Sequence, residues 1–222
     1  MSMRRVSVLL VLVFVLTAGI AFAHDKGDLM LNIEPQVGLA FPHLPLVVKT
    51  GMLPGFDFAL RGTVHYYFVD FFAINAGLGW GFNYHWFVDG DFGSFFGSYF
   101  TIPAGLRFSL HAFTVGAGVV GNIPFYVFGR YRNSYEDITF SGKSHLGWYV
   151  DLGFDLSGRK GRTGGFGMFG RVGSSFGEEV ATPSSPGFRN FEPYGFKFVS
   201  VSLVFQAAIQ IANLPIGKGK TE

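Results

Sequence analysis

The chain has 222 residues, 49% of them hydrophobic and only 14% charged, with a mean hydropathy of +0.33. Average domains carry about 25% charged residues, so this chain is short of ordinary solvated surface; disordered chains are poor in aromatics, whereas 18% of this one is Phe, Trp or Tyr, so disorder is excluded. No Lys/Arg cluster is large enough to neutralise a phosphate track, so a nucleic-acid partner is excluded too.

Met1–Arg5 is a short basic start, followed by an apolar run from Val6 to Ile20 and then Ala21-Phe22-Ala23. A charged segment, a hydrophobic segment and an A-x-A site predict a secretory signal peptide over 1–23, with the mature chain starting at His24. The run is too short to span a bilayer comfortably. Two of the 17 basic residues lie in that leader, so the remainder has as many basic as acidic residues, and the pI near 8.8 belongs to the precursor. Cysteine is absent, so there is neither a disulfide framework nor a thiol for lipid attachment.

The mature segment, 24–222, alternates with a period of two, as a strand does when successive side chains point to opposite faces. Residues 29–41 set Leu31, Ile33, Val37, Leu39 and Phe41 against Asn32, Glu34, Gln36 and Gly38. Residues 56–68 oppose Phe56, Phe58, Leu60, Val64, Tyr66 and Phe68 to Asp57, Arg61, Thr63 and His65. The pattern is clearest in 74–86, where Ile74, Ala76, Leu78, Trp80, Phe82, Tyr84 and Trp86 oppose Asn75, Gly77, Gly79, Gly81, Asn83 and His85. It returns in 96–108, 113–123, 145–156 and 198–210, and more weakly in 166–176. Eight strands are predicted, within about 28–211, followed by a polar tail, 212–222.

Long connections are expected at 42–55, 88–94, 125–144 and 177–193, and short ones at 69–71, 109–112 and 157–165. Strands of about 12 residues exceed the 9–11 that cross a bilayer with tilt. The large-residue face carries almost no charge, as contact with lipid requires. The opposite face mixes Gly, Asn and Ser with single charges, which suits the narrow interior of an eight-stranded barrel; a watered sheet face would be rich in Lys and Glu. The fold class expected is all-β, an eight-stranded antiparallel up-and-down transmembrane barrel with its short turns periplasmic. Trp80, Tyr84, Trp86, Tyr66 and Trp148 are expected toward the aromatic girdles.

By signal peptide, strand count, alternation and loop asymmetry, the chain resembles the small eight-stranded outer-membrane barrels of the OmpA/OmpX/OmpW type over residues 28–211. The resemblance implies a bacterial outer-membrane location, contact with outer-membrane lipid and insertion by the barrel-assembly machinery. Inward-facing ionisable residues are Glu34, Asp57, Arg61, His65, Arg107, Asp151, Asp155 and Arg171, and in a lumen they must be paired or hydrated. They are read as a polar core that plugs the lumen. Aromatics on the same face, Tyr67, Phe87, Phe95, Tyr99, Tyr149 and Phe169, suggest a second reading. Phe87, Phe95 and Tyr99 lie toward the outer mouth, where the OmpW resemblance implies an apolar vestibule for small hydrophobic solutes. Loops 125–144 and 177–193 carry both signs of charge and are candidates for an extracellular ligand.

No Ser/His/Asp constellation appears beside His65, His85 or Asp57, so no enzyme is expected. The His spacing matches no metal motif. The two G-x-G-x-x-G matches, at Gly116–Gly121 and Gly165–Gly170, lie inside period-two segments rather than opening a helix, so no cofactor is expected. Pro103 and Pro124 fall within strands, where a missing N–H marks either a bulge or a weak seam.

Overall fold

A computed structural model describes residues 24–42, 53–86, 92–110, 112–131, 137–157, 163–176, 179–183, 194–196 and 198–214. The predicted leader, Phe87 and most of the tail lie outside them. Among the described residues there are eleven strands: β1 Asp28–Pro42, β2 Gly55–Val69, β3 Phe72–Trp86, β4 Phe92–Leu110, β5 Phe113–Tyr131, β6 Asp137–Gly142, β7 His145–Asp155, β8 Gly164–Ser175, β9 Glu179–Pro183, β10 Tyr194–Phe196 and β11 Phe198–Asn213. Eight of them close a ring in the order β1-β2-β3-β4-β5-β7-β8-β11, with β11 returning antiparallel to β1 from Asp28↔Asn213 to Pro42↔Phe198. Every pairing is antiparallel. Closure removes the open edges that a flat sheet would expose.

The alternation has a clear physical outcome: the barrel is inside-out. Leu31, Ile33, Leu78, Phe100, Leu106, Leu152, Phe166 and Ile209 are exposed, while Glu34, Arg107, Asp151, Asp155 and Arg171 are buried. One cluster of buried apolar side chains, Met30, Tyr67, Ala73 and Ala208, sits at the end of the lumen nearest the chain termini. An exposed belt of this size would aggregate in water and is satisfied by hydrocarbon. Aromatic pairs gather near the strand ends: Tyr84 on Trp86 at 4.9 Å and Phe56 on Trp86 at 5.6 Å on the loop side, Tyr66 on Phe68 at 5.2 Å on the other. Trp80 departs from the expected girdle. It stands at mid-strand in β3, where its indole N–H donates to Ser98 Oγ at 2.7 Å, so no donor is left bare in the apolar belt.

The two largest loop expectations need correction. The segment 125–144 is not simply a connection: β5 runs on to Tyr131 and β6 folds back against it, Arg130↔Asp137 to Val127↔Phe140. Likewise 177–193 contains β9, which pairs with β6 and carries β10 on its other side. Beyond the ring, then, β5 continues into a sheet of β6, β9 and β10. Pro124 is where the regular alternation of β5 ends. Its missing N–H is absorbed by an irregularity in which Tyr99 faces Pro124, the register shifts between Ser98 and Tyr99, and Phe125 has no partner. Consecutive Phe125 and Tyr126 are both exposed, as a bulge permits and a regular strand does not.

A charge placed in the belt tests this orientation. Leu78→Arg, at the middle of β3 and 67% exposed, is expected to lower folding stability in lipid vesicles by about 2–4 kcal/mol, read from a urea titration. The same change in a water-facing strand would leave stability nearly unaltered.

Candidate functional site

The lumen is filled by a layered ionic network. At its centre, Arg171 on β8 faces Asp151 on β7 as a direct cross-strand partner. Its Nε donates to Asp151 Oδ1 at 2.6 Å and Nη2 to Oδ2 at 2.7 Å, the two-pronged geometry in which a guanidinium matches a carboxylate. The guanidinium also reaches past β11 to β1, with Nη1 donating to Gln36 Oε1 at 3.2 Å and Nη2 to Glu34 Oε2 at 3.5 Å. The Arg171 guanidinium also lies over the Tyr149 ring, 4.5 Å from its centre.

Toward the chain termini a second layer forms around Arg107 on β4. It stands 3.7 Å from Glu34 Oε1 and 3.6 Å from Asp155 Oδ2, donates to Gln206 Oε1, and covers the Phe169 ring at 4.6 Å. Glu34 accepts from Thr63 Oγ1 at 2.9 Å and lies 3.4 Å from His65 Nε2. Asp155 accepts from Gln206 Nε2 at 3.2 Å and from both the backbone N–H and the hydroxyl of Ser157. Toward the loop side, Asp57 Oδ2 accepts from Gln36 Nε2 at 2.6 Å and from Ser202 Oγ at 3.0 Å. Arg61 donates Nη1 to Gln36 Oε1 at 2.8 Å.

All eight ionisable residues singled out on the inward face thus lie in the lumen, linked through Gln36 and Gln206 into one network. Those two amides, with Thr63 and Ser202, stand on the same faces, but nothing in their sequence separates a bridging Gln or Ser from a filler. Glycine makes the space. Gly38 lies between Asp57 and Ser202 in the register, and a Cβ there would stand 2.3 Å from Ser202 Oγ, blocking the bond that crosses it. At Gly118 a Cβ would come within 2.6 Å of the Tyr149 ring and 2.4 Å of the Ala104 carbonyl, so only glycine lets Tyr149 lie flat against that wall.

His24, the residue after the expected cleavage point, belongs to this interior as well. It is buried, stacks on Tyr67 with ring centres 3.8 Å apart, and approaches Asp155 Oδ2 to 3.7 Å. The turn that carries it is tied down by Gly27 N–H to the Tyr67 carbonyl at 2.8 Å and by Lys26 N–H to Asp70 Oδ1 at 2.9 Å. Gly27 adopts a φ of 92°, in the left-handed region that glycine tolerates. A residue preceding the first strand carries no alternation, so its position in the lumen left no trace in the pattern.

Of the vestibule residues, Phe95 and Tyr99 are buried on the lumen face near the loop end, and Phe87 lies outside the described residues. Near them, His85 stacks on Phe198 at 4.3 Å. His65 and His85 therefore sit in opposite halves of the barrel. Between the aromatic roof and the Arg171 layer is a cavity of about 110 Å³.

No protein-family model and no curated protein matches the chain. Among solved structures, it is similar to Ail, the attachment invasion locus protein of Yersinia pestis, at 11% identity over 83% of this chain and 99% of that one, with a TM-score of 0.45. It is similar to the outer membrane protein OprG of Pseudomonas aeruginosa at 13% identity, over 84% and 97% of the two chains, with a TM-score of 0.42. The outer membrane protein AlkL in lipid bilayers gives 14% identity, 85% and 92% coverage, and a TM-score of 0.47. The fold itself, a closed ring of eight antiparallel strands with an apolar belt outside, is that of a transmembrane β-barrel on its own geometry. At these identities the likeness concerns the fold alone.

Breaking the central pair separates its net worth from the penalty of an unpaired charge. Arg171→Met is expected to destabilise the barrel by about 3–5 kcal/mol, because Asp151 is left buried and unanswered. The double variant Arg171→Met/Asp151→Leu is expected to recover a large part of that loss in the same urea titration.

Proposed function

We propose that this chain is a non-enzymatic protein of the bacterial outer membrane with a lumen closed to conduction, which holds a β-sheet extension outside the cell for contact with other molecules. The observation that carries the reading is the continuous network from Asp57 through Arg171 and Glu34 to Arg107 and Asp155, whose buried charges span the barrel. A side chain ordered by two or three charge-assisted bonds does not swing aside for a permeating ion without leaving its partners desolvated. His24 on Tyr67 adds a second closure at the terminal end. Its buried position fits a mature chain that starts at that residue after removal of 1–23.

The extracellular role rests on the continuation of β5 into β6, β9 and β10 over the segments 125–144 and 177–193. A barrel needs no such extension to close, so the extra strands serve something beyond the membrane. Outer-membrane lipid is the solvent for the exposed belt, and the assembly machinery that inserts such barrels is the second partner. The runner-up, passage of small hydrophobic solutes past Phe87, Phe95 and Tyr99, has less support. The cavity beneath Tyr99 has mixed walls, Asp57, Arg61 and Asn83 beside Ala40, Val120 and Phe198, and it is bordered by Arg171 of the ionic network, which an apolar solute would have to pass.

Planar-bilayer recording tests the closed lumen. The wild-type protein is expected to give no discrete current steps, and the variant with Arg107 and Arg171 both replaced by alanine is expected to give them. Stable steps from the wild-type barrel would overturn the reading.

A further inference from the structure

The strands beyond the ring are continuations of strands within it. β7 pairs with β5 from Phe113↔Phe154 to Asn122↔His145, and β6 pairs with the same strand from Val127↔Phe140 to Arg130↔Asp137. From Asn122 to Val127 the partner moves back by as many residues, from His145 to Phe140. β6 is therefore β7 resumed in the same register on the far side of Lys143 and Ser144. In the same way β9 lies beside β6 as β8 lies beside β7, and β10 beside β9 as β11 beside β8.

These continuations are interrupted, and the interruptions are neighbours. In β4 the register shifts between Ser98 and Tyr99, and Tyr99 faces Pro124 of β5. The β5–β7 register carried one step further than Val120, Gly121 and Asn122 brings Pro124 to the level of Lys143, and a Cβ on Gly142 would stand 2.7 Å from the Pro124 ring. β8 ends at Ser175 and β9 begins at Glu179; β10 ends at Phe196 and β11 begins at Phe198. One line of broken ladder thus crosses the wall from β4 to β11. Below it the strands close a ring. Above it β1 has ended at Pro42 and β2 begins only at Gly55, so neither joins β10 to β4. A closed ring resists bending, whereas an open sheet attached through bulged strands bends at the bulges. Pro124 has no N–H with which to mend the ladder there.

We propose that the sheet of upper β4, upper β5, β6, β9 and β10 is hinged on the barrel along this line and swings as one body. Phe95 and Val127 are buried on its concave side, and that apolar contact holds the position observed. Tyr99, His145 and Phe198, at the hinge line, border the cavity of about 110 Å³, so a swing changes its roof. The hinge lets a surface beyond the membrane turn while the barrel stays fixed. It requires neither a closed lumen nor any particular partner for the sheet.

The test uses the full chain folded in lipid vesicles. Because the sequence has no cysteine, introduced cysteines can carry spin labels in pairs, with distances read by pulsed electron resonance. Leu60→Cys with Leu146→Cys, on opposite walls of the ring, is expected to give a narrow distance distribution. Ser94→Cys with Thr182→Cys, both in the sheet, is expected to give a narrow one as well. Leu60→Cys with Arg130→Cys, across the line, is expected to give a broad one, and adding Pro124→Val, which restores an N–H at the hinge, is expected to remove much of that breadth. A crossing distribution as narrow as the two references overturns the proposal. A broad Ser94–Thr182 distribution overturns it too, because the strands then fray separately. Breadth that Pro124→Val leaves unchanged in a folded barrel overturns it by putting the motion elsewhere.

Discussion

The structure depends on the pairing of arginine with carboxylate in a space without bulk water. Taking either ion alone out of water costs several kcal/mol, and their attraction offsets this only when geometry is good and the remaining lone pairs and protons are also satisfied. The Arg171–Asp151 pair meets that condition through adjacent strands and two bonds of 2.6 and 2.7 Å. Glu34 meets it through an assembly drawn from β2, β4 and β8, each contributing one donor side chain or more. A network of this kind links strands distant in sequence: Arg107 to Gln206 spans 99 residues, and Arg171 to Glu34 spans 137. It therefore does for the barrel what an apolar core does for a soluble domain. It makes one register and one closure better than the alternatives.

The outward face carries the opposite logic. Its side chains need no complementarity with one another, because hydrocarbon accommodates any apolar shape; they need only be large, uncharged and continuous. That explains a composition that looks contradictory at first, with 28 phenylalanines and 32 glycines in one chain. Phenylalanine covers the outside, where space is unlimited. Glycine thins the inside, where an arginine or a tyrosine must lie across a neighbouring strand. A one-residue slip in register would exchange the two sets and place Arg61 and Arg107 in lipid, so the same alternation that selects the fold also punishes its mispairing.

Much of this was legible from periodicity alone, because period two maps directly onto inside and outside once the membrane is recognised. Each of Glu34, Asp57, Arg61, His65, Arg107, Asp151, Asp155 and Arg171 falls on the inward set by parity of position. Parity says nothing, however, about which of these groups meet. Glu34 and Arg61 are neighbours in the register, yet the bond goes from Arg61 to Gln36, since Glu34 is claimed by donors arriving from β4 and β8 that no local pattern reveals. Nor does parity survive an irregularity: Pro124 breaks the alternation of β5, and the strand resumes in a different phase up to Tyr131. The extension by β6, β9 and β10 was hidden for that reason. His24 was hidden because a residue outside any strand has no phase.

The lumen is also asymmetric along its axis, and the asymmetry has a cause. Near the termini, three bulky rings enter the interior, His24 and Tyr67 stacked together and Phe169 beneath Arg107. They exclude water and leave the charges of Arg107, Glu34 and Asp155 dependent on one another. Toward the loops, beneath the rings of Tyr99 and Phe198, the inward positions of β3, β4 and β5 are Asn83, Thr101 and Asn122, shorter side chains that border the cavity. Arg61, on the cavity side, is held by the neutral Gln36, while Arg107 and Arg171 are matched by carboxylates.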